Sequence, residues 1–239
     1  MSPVLAKALE SRPCGGLATR LAGAAVVLRA SGAIWIEDAQ ALVVADLHLE
    51  KGSSYATRGQ MLPPYDTRET LRRLEAEVAS AAPKMLVFLG DTFHDRKSEG
   101  RLAADDAERV RALSVGRTLV WVVGNHDAAG PQALPGEVAD EIDLNGLKLR
   151  HEPRAGAQPG ELAGHLHPCA KVAAGGGVVR RRCFVTDGER AILPAFGAYA
   201  GGLNVRDPAF TGMFVRTPIA AALGAGRVHA VGWKSLRGD

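Results

Sequence analysis

Four short polar clusters contain the residue types that bind metal ions, and each directly follows an apolar run. They are Asp46-Leu47-His48, Gly90-Asp91, Gly124-Asn125-His126-Asp127 and Gly164-His165-Leu166-His167. Carboxylate, imidazole and carboxamide groups together favour Mn, Fe or Zn over Ca or Mg. Two such metals about 3.5–4 Å apart, with a shared carboxylate and a water between them as nucleophile, are suited to hydrolysing phosphate esters.

The four clusters differ in how specific they are. Gly90-Asp91 is a common turn pair, and Asp46-x-His48 is also compatible with the ordinary end of a strand. The stretch 125–127 is more specific, because a turn explains Asn and Asp but not the histidine between them. The two histidines of the last cluster, two residues apart, lie on one side of an extended segment. Taken jointly, the clusters predict one site at the carboxyl ends of successive strands.

The apolar runs before the clusters predict the elements that must position them. Helical spacing predicts helices over residues 66–82 and 102–113. Their alternation with strands indicates parallel strands joined by crossover helices, and short runs after Gly130 indicate a second, more antiparallel sheet. The fold class is therefore α/β, a layered sandwich of two mixed β-sheets flanked by helices. The predicted strands are 25–28, 34–36, 41–44, 84–89, 118–123, 137–142, 147–151, 171–174, 178–186 and 190–193.

Length and composition indicate an ordinary globular chain. Its 239 residues are 46% hydrophobic and 23% charged, which is enough for one sizeable core. We expect a loose or weakly helical N-terminal arm over residues 1–22, followed by a single domain over residues 23–239. The net charge of +3 permits a polyanionic partner without demanding one.

Cysteine usage and hydropathy indicate where in the cell the protein is expected to work. The three cysteines form no CxxC pair, so we expect reduced thiols in a cytoplasmic protein. No stretch approaches the roughly 20 apolar residues of a membrane span, and the N-terminus does not resemble a signal peptide. We therefore expect no membrane partner.

The ordered motifs D-x-H, GD, GNHD and GHxH resemble those of the calcineurin-like metallophosphoesterase superfamily over roughly residues 24–233. Residues 45–54 (ADLHLEKGSS), 63–67 (PPYDT) and 201–204 (GGLN) are similar to its ligase-associated DNA damage response endonuclease group (PdeM). The resemblance implies the α-β-β-α metallophosphoesterase sandwich. It also implies two divalent transition metal ions, Mn²⁺ first and Fe or Zn as alternatives.

The resemblance further implies two metal positions that share Asp91 as a bridging ligand. The first position would be formed by Asp46, His48 and His167, and the second by Asn125, His151 and His165. His151 follows a predicted strand in the expected order, although Glu152 stands where the superfamily often has Gly.

Further roles are implied around these ligands. His126 would lie beside the phosphate, stabilising a nonbridging oxygen or protonating the leaving oxygen, and Asp127 would orient His126 through a hydrogen bond. Many members have an aspartate three residues after the bridging one, whereas here Asp95 lies four residues on. His94 is therefore a candidate for facing the substrate, and Arg206 is a second candidate for binding it.

Three functions remain open from the sequence. The first is a dinuclear phosphodiesterase that cleaves DNA, single-stranded or structured, in DNA repair. The resemblance implies that it works with a DNA ligase, an exonuclease and a helicase. The second is hydrolysis of a small phosphoester such as a nucleotide, and the third is a catalytically silent, metal-stabilised repair scaffold.

Overall fold

The computed structural model describes residues 9–60, 62–174 and 176–239, which form two mixed β-sheets. In the first sheet, eight described strands lie side by side in chain order. They are β1 (Glu10–Ser11), β2 (Leu17–Leu21), β3 (Ala24–Leu28), β4 (Ile34–Ile36), β5 (Ala41–Val44), β6 (Met85–Leu89), β7 (Thr118–Val122) and β8 (Glu137–Ala139).

The middle of this sheet is parallel and buried on both faces. Strands β5, β6 and β7 pair in parallel, which places Val43 beside Val87 and Val87 beside Val120. These valines pack towards the second sheet. Because side chains alternate along a strand, Leu42 and Leu86 pack against the helices instead. Burial on both faces explains why these strands are apolar at nearly every position.

The second sheet is formed by ten described strands, with β15-β12-β13-β14-β11-β10-β9 as its main order. Strand β16 pairs with β13, β17 with β16, and β18 with β12. The strands are β9 (Glu141–Leu144), β10 (Leu147–Arg150), β11 (Glu161–Ala163), β12 (Pro168–Ala174), β13 (Gly177–Thr186), β14 (Ala191–Ile192), β15 (Leu203–Asn204), β16 (Ile219–Leu223), β17 (Val228–Gly232) and β18 (Leu236–Arg237).

Helices cover the outer face of the first sheet. They are α1 (Lys51–Ala56), α2 (Asp66–Ala81), α3 (Ser98–Arg101) and α4 (Ala104–Ala112). Leu71 and Leu74 of α2 and Val110 of α4 pack against Phe88 and Trp121, whose rings stack at 4.0 Å. Two 3₁₀-helices, Pro208–Phe210 and Trp233–Ser235, lie over the second sheet. The layered α/β sandwich expected from the sequence is confirmed.

Three local expectations need correction. Residues 1–8 of the expected arm lie outside the described residues, but residues 17–21 form β2, which pairs with β3. This segment is strand because its apolar side chains are buried in the core between the sheets. Residues 51–56, which fall in none of the expected elements, form α1, and the helix expected over 102–113 is shorter and preceded by α3. None of the described helices is long and apolar enough to cross a membrane.

Candidate metal centre

The site lies where the strands of both sheets end. Asp46 and His48 follow β5, and Asp91 follows β6. The turn after β7 contributes a third set of side chains. His151 follows β10 of the second sheet, and His165 follows β11. The two sheets are joined at this edge, since Ala45 pairs with Ala195 across them. Parallel strands therefore bring the separated clusters to one place, as the sequence predicts.

The backbone is strained at these positions. Asp46, His48, Asp91, His165 and His167 all have left-handed backbone conformations, with φ between 45° and 67°. A non-glycine residue held in this region costs on the order of 1–3 kcal/mol, and such residues cluster at functional sites. Five of the seven predicted ligands therefore share a conformation that strand pairing alone would not produce.

The first group of donors contains Asp46, His48 and His167. The Nε2 atoms of His48 and His167 face each other at 3.2 Å, and the Nε2 of His167 lies 3.3 Å from Asp46 Oδ1. Asp46 is fully buried, and both its carboxylate oxygens accept the backbone N–H of His165. The first predicted ligand set is thus assembled within 4.8 Å.

The second group contains Asn125, His151 and His165. The Oδ1 of Asn125 lies 3.0 Å from His151 Nε2 and 3.0 Å from His165 Nδ1, and these two nitrogens are 3.2 Å apart. His151 Nδ1 lies 3.2 Å from the carbonyl oxygen of Leu89 at the end of β6. That contact fixes the ring so that its Nε2 points at the other donors.

Asp91 lies between the two groups. Its Oδ2 is 3.4 Å from His151 Nε2 in the second group and 3.9 Å from His48 Nε2 in the first. Its other oxygen, Oδ1, accepts the backbone N–H of His126 at 2.9 Å. Hydrogen bonding thus holds one oxygen and leaves the other directed at both groups.

Protonation in the metal-free protein follows from burial and from these contacts. Burial, and secondarily His167, lower the pKa of His48 to about 2, so this imidazole is neutral beside Asp91. Burial opposes ionisation of Asp91, but hydrogen bonding and charge from His151 lower its pKa to about 2. Burial opposes protonation of His151, but Asp91 and then Asp46 raise its pKa to about 9. His151 therefore holds the proton that a metal ion would displace.

Two glycines leave room for ligands from other clusters. A Cβ atom at Gly124 would lie 2.2 Å from Asp91 Oδ1, and one at Gly164 would lie 2.5 Å from Asp46 Oδ2. Any larger residue at either position would have to displace a carboxylate. The glycine that opens each of these clusters is thus a packing requirement of the site.

His126 is oriented differently from the sequence expectation. Its Nδ1 lies 2.7 Å from the backbone carbonyl oxygen of His94, which therefore accepts its proton. The carboxylate of Asp127 instead accepts the N–H groups of Gly124 and Phe93, at 2.9 and 3.1 Å. The expected hydrogen bond between Asp127 and the His126 ring is therefore wrong. Asp127 is turned inward and closes the turn through Gly124 and Phe93, and the His94 carbonyl takes its place as the partner of His126. Every residue carries a backbone carbonyl, so the sequence gives no sign that the one at His94 is the partner of His126.

The other residues considered from the sequence differ in how close they lie to the donor groups. The His94 ring lies beside the site, stacked on His126 at 5.4 Å between ring centroids. Asp95 is turned away and forms an ion pair with Arg101 at 2.8 Å. The guanidinium of Arg206 lies over the Trp233 ring at 5.3 Å, and no described hydrogen bond or ion pair joins it to the donor groups. Of these three, only His94 adjoins the predicted metal ligands.

A buried ionic network supports the second group from behind. Glu161 on β11 pairs with Arg150, which precedes His151, and with Arg190. Glu161 also accepts the backbone N–H of Arg154 at 3.1 Å, and Arg190 donates to the carbonyl of Gly156 at 2.9 Å. The chain on both sides of His151 is therefore fixed to β11 and β14.

The comparisons with known proteins agree with this geometry. A family model described as calcineurin-like phosphoesterase matches residues 40–176, more than half of the chain. This chain belongs to the calcineurin-like phosphoesterase family. It is a metal-dependent hydrolase of phosphoesters, and the matched residues include all seven predicted ligands.

Two solved structures resemble this phosphoesterase. The crystal structure of Pseudomonas putida nuclease MPE has a TM-score of 0.69 and 30% sequence identity, covering 90% of this chain and 100% of that one. Yfce, a phosphoesterase from E. coli, has a TM-score of 0.39 and 16% identity, covering 80% of this chain and 98% of that one. This second likeness is too low to carry an argument. No curated protein sequence matches the phosphoesterase.

The donor set of the phosphoesterase suits two divalent ions. In each group, two imidazole nitrogens approach to 3.2 Å, close to the separation of neighbouring nitrogens bound about 2.0–2.1 Å from one ion. No described Lys or Arg pairs with Asp46 or Asp91; in the metal-free protein protonated His151 is their cationic partner, and a bound metal ion would displace its proton. The family and the two clusters that contain a carboxylate, Asp46–His48–His167 and Asp91–His151–His165, fit a dinuclear divalent metal site.

The first prediction concerns the close approach at Gly124. We expect Gly124→Ala to weaken metal binding and lower hydrolysis by about 10–100-fold, as for other changes that misplace ligands. The control is Gly100→Ala in α3, where an added Cβ meets open space. Metal per chain and hydrolysis of a chromogenic phosphodiester would be measured for both. A fully loaded, fully active Gly124→Ala protein would contradict the steric argument.

The second prediction concerns the proton on His151. Its folded pKa of about 9 lies above the usual 6.5, so this proton stabilises the chelator-treated protein below about pH 6.5. That contribution should be lost as the pH rises through about 9. We therefore expect the free energy of unfolding to fall between pH 6.5 and 9 relative to His151→Gln, as measured by urea titration. Parallel pH profiles for the two proteins would rule out this coupling.

Proposed function

We propose that this phosphoesterase is a dinuclear DNA endonuclease that hydrolyses phosphodiesters in single-stranded or structured DNA. The observation that carries the proposal is the position of Asp91 Oδ2, 3.4 Å from a nitrogen of one histidine group and 3.9 Å from a nitrogen of the other. A carboxylate placed in this way can bridge two ions. The similarity to a Pseudomonas putida nuclease supports nucleic acid as the substrate.

We further propose the ligand sets and the metal. Asp46, His48 and His167 would hold one ion, and Asn125, His151 and His165 the other, with Asp91 shared. Mixed nitrogen and oxygen donors suit Mn²⁺, with Fe and Zn as alternatives. Two ions bound there would polarise the phosphate and activate a water as nucleophile.

The protein's own contribution to chemistry centres on His126. With Nδ1 held by the His94 carbonyl, Nε2 is the atom directed at the site, 3.9 Å from Asp91 Oδ2. In its imidazolium form, with a proton on each ring nitrogen, His126 can donate from Nε2 to a nonbridging phosphate oxygen or to the leaving oxygen. Asp127 would act as a positioning residue by holding the turn that contains His126.

The cellular setting is also a proposal. Resemblance to ligase-associated endonucleases supports a role in cytoplasmic DNA repair, alongside a DNA ligase, an exonuclease and a helicase. The net charge of +3 agrees with a polyanionic substrate. The organisation of residues 23–239 as one domain stays a prediction.

The third prediction tests the function directly. The Mn²⁺-loaded protein should cleave single-stranded or hairpin DNA and also hydrolyse a chromogenic phosphodiester, and EDTA should abolish both activities. Asp91→Asn should lower both rates by at least about 10²-fold, because charge stabilisation and nucleophile activation fail together. The control His229→Ala, in β17 and outside both donor groups, should keep wild-type rates.

Two results would count against this function. Activity confined to small esters would identify a small-molecule phosphoesterase instead of a nuclease. Full activity of Asp91→Asn would remove the shared carboxylate from the mechanism.

The fourth prediction separates two roles of His126. His126→Ala should keep its metal content and lose about 10²–10³-fold in DNA cleavage. The chromogenic phosphodiester releases p-nitrophenolate, which needs no protonation. A much smaller loss of activity on this ester than on DNA would therefore identify proton donation to the leaving oxygen. An equal loss on both substrates would identify stabilisation of a nonbridging oxygen. Unchanged cleavage of DNA would contradict both roles.

A further inference from the structure

A row of rings leads away from the metal centre across the surface. The His126 ring stacks on His94 at 5.4 Å with 26° between their planes, and His94 lies 5.9 Å from Tyr55 at 31°. The ammonium group of Lys51 lies 5.9 Å from the centre of the Tyr55 ring. Tyr55 is half-buried, and both Lys51 and His94 border its ring.

Positive charge accompanies this row. Lys51 lies over the Tyr55 ring, and the backbone N–H of Arg58 donates to the Tyr55 carbonyl at 3.0 Å, which places Arg58 directly after the helix that carries the ring. Arg58, Arg96 and Lys97 are exposed and line a common open cavity of about 550 Å³. Among the described residues, no carboxylate forms an ion pair with Lys51 or with these three. Nearby Arg101, by contrast, is paired with Asp95.

The surface is firmly attached to the fold. Lys51 and Tyr55 are four residues apart in α1, so they share one face of that helix. The helix is held against the start of α2, because Gly52 N–H donates to Asp66 at 2.9 Å and Glu50 N–H donates to Thr67 at 2.8 Å. A ring and cations held in this way can bind a ligand without first being ordered.

We propose that the surface formed by Lys51, Tyr55 and Arg58 binds the DNA strand beside the scissile phosphate. One unpaired base stacks on Tyr55, and the adjoining phosphates contact Lys51 and Arg58. Aromatic rings flanked by cations are how proteins bind single strands without reading sequence. In a duplex the base faces are already stacked, so this surface selects single-stranded over double-stranded DNA.

This proposal rests on the proposed nuclease function and adds the path of the strand and the residues that select unpaired DNA. The test uses the full, Mn²⁺-loaded protein with three substrates: a single-stranded oligonucleotide, its duplex and a chromogenic phosphodiester. The variants are Lys51→Ala, Tyr55→Ala, Tyr55→Phe and Arg58→Ala. The matched control is Lys84→Ala, because exposed Lys84 precedes β6 and so lies at the opposite edge of the sheet from Asp91.

We expect Tyr55→Ala to raise KM for the single strand about tenfold or more, the effect of losing one base–aromatic stack. Its hydrolysis of the small ester should stay within twofold of wild type, and Tyr55→Phe should behave as wild type on all substrates. Lys51→Ala and Arg58→Ala should each reduce the slope of log affinity against log salt by about 0.7 on single strands. Lys84→Ala should leave that slope unchanged.

Several outcomes would overturn the strand path while leaving the nuclease intact. One is a Tyr55→Ala protein that cleaves single strands with wild-type KM, and another is an equal loss on DNA and on the small ester. Unchanged salt slopes for both basic variants would do the same, and the Lys51 and Arg58 variants remain testable if Tyr55→Ala fails to fold. Wild-type protein that hydrolyses the ester but never DNA would instead refute the proposed function.

Discussion

The position of the Asp91 carboxylate is the constraint on which the site depends. One oxygen is held by the backbone of His126, and the other lies between histidines carried by different sheets. This arrangement requires the carboxyl ends of β6, β7 and β10 to meet at one edge. The sandwich provides that meeting because its two sheets pack through a shared apolar core and join at Ala45 and Ala195.

The strained backbone of the ligands is stabilised by contacts between neighbouring strand ends. His48 N–H donates to the carbonyl of Asp91 at 2.9 Å, and Asp46 N–H donates to that of Gly90 at 3.2 Å. The carboxylate of Asp46 in turn holds the N–H of His165. Each left-handed residue thus gains hydrogen bonds that an ordinary strand ending would not give. Local strain and global packing therefore support the same geometry.

The sequence predicted this fold and the meeting of the clusters because both depend on local patterns. Continuous apolar runs located β5, β6 and β7, and the polar residues after them indicated where the donors would gather. The partner of His126 was missed because a backbone carbonyl, that of His94, carries no side-chain signature. The helix α1 was missed because six residues show too little periodicity, although the i, i+4 spacing of Lys51 and Tyr55 was readable. Asp127 was misassigned because proximity in sequence to His126 does not fix where a carboxylate turns.

The most direct measurement of the central claim is anomalous diffraction from crystals soaked in Mn²⁺. We expect two strong peaks about 3.5–4 Å apart, with Asp91 bound to both and one histidine group around each. A single peak, or two peaks of which only one contacts Asp91, would contradict the claim that this carboxylate joins two metal positions.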